Sequence, residues 1–296
     1  MLSRQRIDAF IAQECLPPSF AALVDDHYLP LADWLLAQCG TPAPCLVGIN
    51  GAQGTGKTTL AAFLALVLGE CGRETAVLSL DDFYLTAAAR AQRAARVHPL
   101  LRTRGVPGTH DLALLTSTLE RLATYRAGAA PVCLPRFDKA LDDRAPAAAW
   151  PAIRKRPQLI LLEGWCVGSR PQTAAQLATP VNALEREQDA DGAFRRYVND
   201  QLAGPYAALF ARLGRLVVLA APGFDAVLRW RLEQEGKLRQ RARGDAPGVM
   251  SPAQVARFIE YYERITRENL RTLGGIADVV LELDEQHACT RSRYRS

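Results

Sequence analysis

A glycine-rich segment at residues 51–58 has the residue types and spacing of a phosphate-binding loop. It completes the pattern G-x-x-x-x-G-K-[ST], in which glycines let backbone N–H groups turn toward phosphate oxygens. The pattern predicts that Lys57 reaches the β- and γ-phosphates of ATP as a catalytic residue and that the Thr58 hydroxyl binds Mg²⁺. We expect ATP to contact the whole loop, namely Gly51, Ala52, Gln53, Gly54, Thr55, Gly56, Lys57, Thr58 and Thr59.

The sequence on either side of this loop favours nucleotide binding over an ordinary glycine turn. An apolar, strand-like run (residues 46–49) comes directly before it, and an apolar helical stretch (residues 59–68) follows. A strand, a glycine loop and a helix N-terminus together form an anion site, because the positive end of the helix dipole attracts phosphate.

Acidic residues follow two other apolar runs. Asp81 and Asp82 come after the run at residues 75–80, and Glu163 follows the run at residues 159–162. Carboxylates at the carboxyl ends of strands lie where ligands bind in open α/β sheets. We predict that Asp81 is a catalytic base that accepts a hydroxyl proton and that Glu163 holds Mg²⁺. Taken alone, the Asp81–Asp82 pair also fits a helix cap, and any buried strand can end in Glu.

A basic helical stretch near residues 225–250 is expected to form a lid over ATP. It carries Arg231 and Arg239 and runs into a Gly/Pro-rich loop at residues 244–248. We predict that Arg231, together with Arg239, stabilises the phosphoryl group during transfer. A solvated basic face accounts for most of the other arginines. A guanine-specific Asn-Lys-x-Asp run is absent from the sequence.

The long interval between the second and third apolar runs is predicted to bind the acceptor substrate. Insertions of this size (residues 82–157) are usually functional. Arg104, Arg136 and Lys139 are candidates to hold a substrate carboxylate, and His110 is a candidate neutral hydrogen-bond donor. For each of these residues, an ordinary solvated or satisfied loop side chain is an equally good interpretation.

The spacing of apolar runs and helical stretches predicts a three-layer α/β fold of the P-loop NTPase type. About five short runs, rich in Val, Leu and Ile, alternate with stretches long enough for crossover helices, which indicates a parallel sheet with helices on both faces. We expect a helical preamble at residues 1–40, a kinase domain at 41–284 and a frayed basic tail at 285–296.

Composition excludes several classes of protein. Of the 296 residues, 49% are hydrophobic and 23% charged, as in an ordinary globular protein, and the net charge of +5 comes without a dense basic tract. We therefore expect no nucleic-acid partner and no membrane segment. The seven cysteines are scattered without a Cys-x-x-Cys pair, which predicts reduced thiols and a cytoplasmic location.

Six motifs, in order, resemble those of the plant and fungal D-glycerate 3-kinases. They are the phosphate loop, residues 81–86, residues 104–111, residues 135–139, residues 143–144 and residues 163–165. This family is related to uridine kinase, phosphoribulokinase and bacterial pantothenate kinase. The resemblance implies ATP-dependent phosphorylation of a hydroxyl of D-glycerate to 3-phosphoglycerate, with Asp81 as the base. Asp82, Tyr84 and Asp138 are further expected acceptor contacts, and Asp82 is also a candidate to help hold Mg²⁺ or a helix N-terminus.

The resemblance is weaker in two places, which leaves alternatives open for the acceptor. Residues 246–251 match the family's motif near the lid only loosely, and residues 166–200 match the family sequence poorly. A kinase of the same fold for another small alcohol, such as a nucleoside or pantothenate, uses the same machinery. A non-catalytic protein that only senses ATP is the third alternative.

Overall fold

This computed structural model describes residues 2–40, 43–241 and 250–295, with residues 237–241 described as backbone only. None of the helices in those ranges is long and apolar enough to cross a membrane. The α-helices are α1 (Arg4–Gln13), α2 (Phe20–Leu23), α3 (Leu29–Gln38), α4 (Lys57–Glu70), α5 (Ala87–Arg96), α6 (Leu112–Ala123), α7 (Ala174–Ala178), α8 (Ala183–Gln188), α9 (Ala193–Gln201), α10 (Ala207–Phe210), α11 (Phe224–Arg241) and α12 (Pro252–Thr272).

Shorter helical turns connect several of these helices. The 3₁₀ turns are Leu80–Phe83, Pro99–Arg102, Ala147–Ala149 and Leu273–Gly275, and the π turns are Val24–Tyr28 and Leu202–Tyr206. The strands are β1 (Cys45–Gly51), β2 (Thr75–Ser79), β3 (Val132–Cys133), β4 (Phe137–Asp138), β5 (Asp143–Arg144), β6 (Ala152–Ile153), β7 (Leu159–Gly164), β8 (Arg215–Ala220), β9 (Val279–Leu283) and β10 (Cys289–Tyr294).

The central sheet has the strand order β10-β9-β8-β1-β7-β2. Its strands β2, β7, β1, β8 and β9 run parallel, so the predicted parallel α/β fold is confirmed. All six residues of β7 are buried, as expected for a strand covered on both faces. Each of the five apolar runs became one of these parallel strands.

Helices cover the sheet on both faces. On one face α4 packs against β1, β2 and β7, and the N-terminal helices pack onto α4 in turn. Phe63 of α4 contacts Phe10 and Tyr28, with ring centroids 5.3 and 5.8 Å apart. On the other face, the 3₁₀ turn that follows α12 contributes Leu273 to an apolar cluster with Val218 and Val280. The predicted N-terminal helices are present, whereas the domain boundaries at residues 40 and 284 stay predictions.

The C-terminal tail does not fray, so that prediction was wrong. Residues 289–294 form β10, which pairs antiparallel with β9 and makes the sheet six-stranded. Arg293 Nε lies 2.6 Å from Glu282 Oε1, and the ring of Tyr294 lies 5.9 Å from that of Trp34. The tail is polar because it forms an edge strand, where one side faces solvent.

The predicted insertion is built from two helices, one small hairpin and a short antiparallel strand pair that encloses the hairpin in sequence. Helices α5 and α6 are followed by β3 paired with β6 and by β4 paired with β5. The short strand expected at residues 132–134 is observed at Val132–Cys133. The β4–β5 hairpin is the part that lies over the end of β2, because the Phe137 ring packs edge-on against Tyr84 at 5.2 Å.

One pair of cysteines departs from the expectation of reduced thiols. Cys39 and Cys45 are joined in a disulfide, with Cα atoms 5.7 Å apart. Cys39 is the residue after α3, and Cys45 is the first residue of β1. The remaining cysteines, Cys15, Cys71, Cys133, Cys166 and Cys289, are free.

Candidate functional site

The register of the sheet brings the predicted chemical groups to one edge. Glu163 of β7 stands opposite Ile49 of β1 on one side and opposite Ser79 of β2 on the other. The phosphate loop follows β1, and Asp81 lies two residues beyond Ser79. Three separate sequence motifs therefore meet at the carboxyl ends of adjacent parallel strands.

The phosphate loop has the backbone that its glycines predict. Gly54 and Gly56 have φ values of +83° and +84°, in the left-handed region that favours glycine. At Gly54 a Cβ atom would also lie 2.7 Å from Cβ of Trp230, so the loop packs tightly on α11. Helix α4 begins at Lys57, which points its N-terminal N–H groups into the loop.

A tail residue also supports this loop. The His287 ring stacks on Trp230 with centroids 4.3 Å apart, and its Nδ1 lies 3.1 Å from the Gly54 carbonyl oxygen. Trp230 Nε1 donates to the Glu285 carbonyl at 3.0 Å. The segment that was expected to fray thus packs against the candidate ATP site and supports its loop.

The Thr58 hydroxyl and Glu163 form a polar pair beneath the loop. Thr58 Oγ1 donates to Glu163 Oε1 at 2.9 Å, and Glu163 is only 2% exposed. The second carboxylate oxygen, Oε2, is buried and has no hydrogen-bond partner within the described chain. An unpaired buried carboxylate oxygen is costly, and hard oxygen ligands of this kind suit Mg²⁺. The pair therefore fits the predicted metal site.

Lys57 carries a free positive charge beside the acidic groups. Among the described residues its ammonium group has no hydrogen-bond or ion-pair partner, and its charge acts on Asp81. An ammonium group at the start of α4 that forms no ion pair with the described residues is suited to an external anion, such as phosphate.

Asp81 is held by two donors. Tyr84 Oη donates to Oδ1 at 2.7 Å, and Lys139 Nζ donates to Oδ2 at 2.8 Å. Burial raises the pKa of Asp81, but the charges of Lys139 and Lys57 and these two hydrogen bonds outweigh it and hold the pKa below its usual range. Asp81 is therefore ionised at neutral pH, so it can accept a hydrogen bond from a hydroxyl and orient it.

Asp82 points to the hairpin instead. It accepts from Phe137 N and from Arg136 Nη1, both at 3.1 Å. Burial raises the pKa of Asp82 against the opposing effects of the Phe137 N–H and the Arg136 charge. Asp82 and Arg136, both predicted as acceptor contacts, thus bind each other and fix the β4–β5 hairpin over the site.

Other predicted acceptor contacts also have partners inside the chain. Arg104 pairs with Asp142, which also binds the buried Arg90 at 2.5 Å. Asp138 accepts from the backbone N–H groups of residues 140 and 141 at 2.9 and 3.1 Å, so it closes the hairpin turn. Their roles toward substrate stay predictions. An acceptor substrate would have to compete with these internal partners for the same side chains.

His110 lies inside the site wall. It is 3% exposed, its ring stacks on Tyr84 with centroids 4.8 Å apart, and burial lowers its pKa to about 4 despite the nearby charge of Asp81. The ring is therefore neutral at physiological pH, and its predicted role as a hydrogen-bond donor to the acceptor stays a prediction.

Arg231 is engaged on its own helix. Its Nη2 lies 2.8 Å from Glu235 Oε2, and its Nη1 donates to Gln234 Oε1 at 2.8 Å. A role in phosphoryl transfer, which stays a prediction, needs this pair to open. The Arg239 side chain and the expected lid loop at residues 244–248 lie outside the described residues.

Sequence reasoning missed aromatic side chains that build the walls of the site. Trp165 Nε1 donates to the Gly105 carbonyl at 3.0 Å, and Tyr262 Oη donates to the Arg104 carbonyl at 3.3 Å. Trp165 belongs to a motif already singled out, so its place beside Glu163 was available as a signal. Tyr262 comes from the middle of α12, where its spacing is that of an ordinary core residue.

Known proteins are similar to this chain in sequence and in fold. The uncharacterized kinase mug58 of Schizosaccharomyces pombe is 34% identical over 226 residues, which cover 74% of this chain and 78% of that protein. The chloroplastic D-glycerate 3-kinase of Arabidopsis thaliana is 32% identical over 253 residues, 81% of this chain. This chain belongs to the same kinase family. No family model matches it.

The matches differ in how much of each relative they cover. The match to the plant protein covers 52% of that protein, so this chain spans about half of its length. The solved D-glycerate 3-kinase of Cryptococcus neoformans superposes with a TM-score of 0.74 over 90% of this chain and 99% of that one, at 23% identity, and so shows the fold. The expected ATP-dependent phosphotransferase with a phosphate-binding loop is confirmed.

Proposed function

We propose that this kinase transfers the γ-phosphoryl group of ATP to a hydroxyl of D-glycerate, giving 3-phosphoglycerate. The observation that carries the proposal is the 32% identity to the plant D-glycerate 3-kinase across 81% of the chain. The geometry supports it, because the insertion contributes three cationic side chains, one of them in contact with Asp81, and a small carboxylate needs such partners. They are Arg104, Arg136 and Lys139.

ATP and Mg²⁺ would occupy the edge of the sheet formed by the phosphate loop and β7. The loop N–H groups and Lys57 would hold the phosphates, and Thr58 and Glu163 would hold Mg²⁺ directly or through water. When bound, Mg²⁺ neutralises charge on the phosphates. Its presence is part of the proposal, since the fit rests on the unpaired Glu163 Oε2.

Asp81 would orient the attacking hydroxyl. In the transfer, the hydroxyl oxygen forms a bond to the γ-phosphorus, the bond to the leaving ADP oxygen breaks, and the hydroxyl proton passes to Asp81. The lowered pKa of Asp81 makes it a weak base, so its main contribution is alignment rather than early removal of the proton. Tyr84 fixes the carboxylate by its 2.7 Å hydrogen bond.

Lys139 would exchange partners during binding. It is 61% exposed and paired with Asp81 at 2.8 Å, so a substrate carboxylate can draw it away at small cost. The hydroxyl then takes its place on Asp81. Arg104 is less exposed and is tied to Asp142, so it would hold the carboxylate only if the hairpin end moves.

An assay of ADP release tests the proposal. Purified kinase with ATP and Mg²⁺ is offered D-glycerate, L-glycerate, uridine and pantothenate separately, with Lys57→Ala as the inactive control. We expect turnover with D-glycerate well above the ATPase background. Absence of such turnover, or a clear preference for uridine or pantothenate, would refute the glycerate assignment while leaving the kinase family intact. A cytoplasmic location stays a prediction, because the plant relative is chloroplastic.

A further inference from the structure

The His110 imidazole is held between two tyrosines from distant parts of the chain. Tyr84 stacks on one face of the ring, and the hydroxyl of Tyr206 lies 2.6 Å from Nδ1. Tyr206 comes from the π turn Leu202–Tyr206 and is fully buried. The same hydroxyl oxygen accepts a hydrogen bond from Gly108 N at 3.1 Å. No sequence motif points to Tyr206.

The hydrogen atoms in this group can be assigned by counting donors and acceptors. Burial raises the pKa of Tyr206 well above its usual value and lowers that of His110 to about 4, so the phenol is protonated and the imidazole carries one hydrogen. Gly108 N can only donate, so the phenol oxygen accepts from it. Within the described chain, the phenol O–H then has one acceptor, His110 Nδ1. The ring hydrogen must therefore lie on Nε2.

This assignment leaves His110 Nε2–H as a donor without a partner. Nε2 is buried and makes no hydrogen bond to any described residue. A buried unpaired donor is unfavourable, and native chains keep one only where water, a ligand or a function accounts for it. The ring is separated by one stacked tyrosine from the carboxylate of Asp81, whose charge acts on it. The ring that carries the unpaired donor therefore lies one tyrosine away from the residue that is proposed to orient the acceptor hydroxyl.

We propose that Tyr206 is a positioning residue, which holds His110 as the neutral Nε2–H tautomer so that Nε2–H donates to an oxygen of the acceptor substrate. His110 then recognises the acceptor without carrying a proton in the reaction. The proposal rests on the proposed function only in taking the acceptor to be a hydroxy acid. It differs from that function in naming Tyr206 and the tautomer, neither of which depends on turnover.

The tautomer can be measured directly. Long-range ¹H–¹⁵N correlation of the ¹⁵N-histidine-labelled kinase, at about neutral pH and without substrate, distinguishes a protonated ring nitrogen from a bare one. We expect Nε2 of His110 to be protonated and Nδ1 bare in the wild type, and Tyr206→Phe to shift the ring toward the Nδ1–H form or a mixture. A wild-type ring protonated on Nδ1, or a tautomer unchanged in Tyr206→Phe, would overturn the proposal.

Kinetics separate positioning from a merely structural role. Tyr206→Phe should raise KM for D-glycerate about tenfold, as for one lost hydrogen bond, with kcat and KM for ATP nearly unchanged. Tyr125→Phe is the matched control, because Tyr125 is also largely buried and, within the part of the chain that the structure describes, its hydroxyl bonds only the Ala129 carbonyl, at 3.3 Å. Equal effects in the two variants, or a parallel rise in KM for ATP, would contradict the positioning role. Failure of glycerate turnover in the wild type would instead refute the proposed substrate, and the tautomer measurement would still stand.

Discussion

The buried neutral His110 should make the folded state less stable in mild acid. Burial lowers its pKa from 6.5 to about 4, so between these values the unfolded chain binds a proton that the folded chain does not. The free energy of unfolding is therefore at its full value above pH 6.5 and decreases as the pH falls toward 4. At pH values below both pKa values, this shift lowers the free energy of unfolding by about 3 kcal/mol, and at about pH 5 it lowers it by about 2 kcal/mol.

Urea unfolding of the wild type and of His110→Gln, at about pH 7.5 and about pH 5, measures this contribution. Glutamine does not titrate, so the variant should lose about 2 kcal/mol less than the wild type between the two pH values. The other histidines and Asp81 are present in both proteins, and their contributions cancel in the difference. Equal acid losses would refute the reasoning, because they would mean that His110 has the same pKa in the folded and unfolded chains.

Two substitutions test the other elements of the site. Asp81→Asn should lower kcat on the order of a hundredfold, with ATP affinity retained in calorimetry. Asp82→Asn should lower kcat less, because Asp82 binds the hairpin. Full activity of Asp81→Asn would place the base elsewhere. Gly54→Ala should weaken ATP binding and lower stability by about 1 kcal/mol or more, since φ is +83° and the new methyl meets Trp230. Gly69→Ala, whose methyl would meet nothing within 4 Å, should be neutral or slightly stabilising in thermal unfolding, and equal behaviour of the two glycine variants would contradict the packing argument.

Much of the sheet and the nucleotide side of the site could be predicted from local patterns. A strand buried on both faces must be apolar throughout, so β1, β7 and β8 are visible as runs of Val, Leu and Ile. The phosphate loop is equally local, because its glycines, lysine and threonine act within eight consecutive residues. Parallel strands also align their carboxyl ends, which is why Asp81 and Glu163 could be expected near the loop before any contact was known.

The acceptor side was less predictable, because its side chains satisfy one another across the fold. Arg136 binds Asp82 across 54 residues, and Lys139 binds Asp81 across 58. A charged loop residue has the same local signature whether it is solvated, paired or holding substrate. The tail was misjudged for a related reason, since an edge strand such as β10 is polar on its open side and resembles a frayed end in sequence.

The sequence by itself determined a parallel α/β kinase with a phosphate loop, because those features depend on residues that are neighbours in the chain or on one strand. Only the tertiary structure decided the protonation and partners of the site. Tyr206 reaches His110 across 96 residues, and Thr58 meets Glu163 across 105. Such contacts arise when the chain packs, and burial then sets which group is charged and which nitrogen carries the hydrogen.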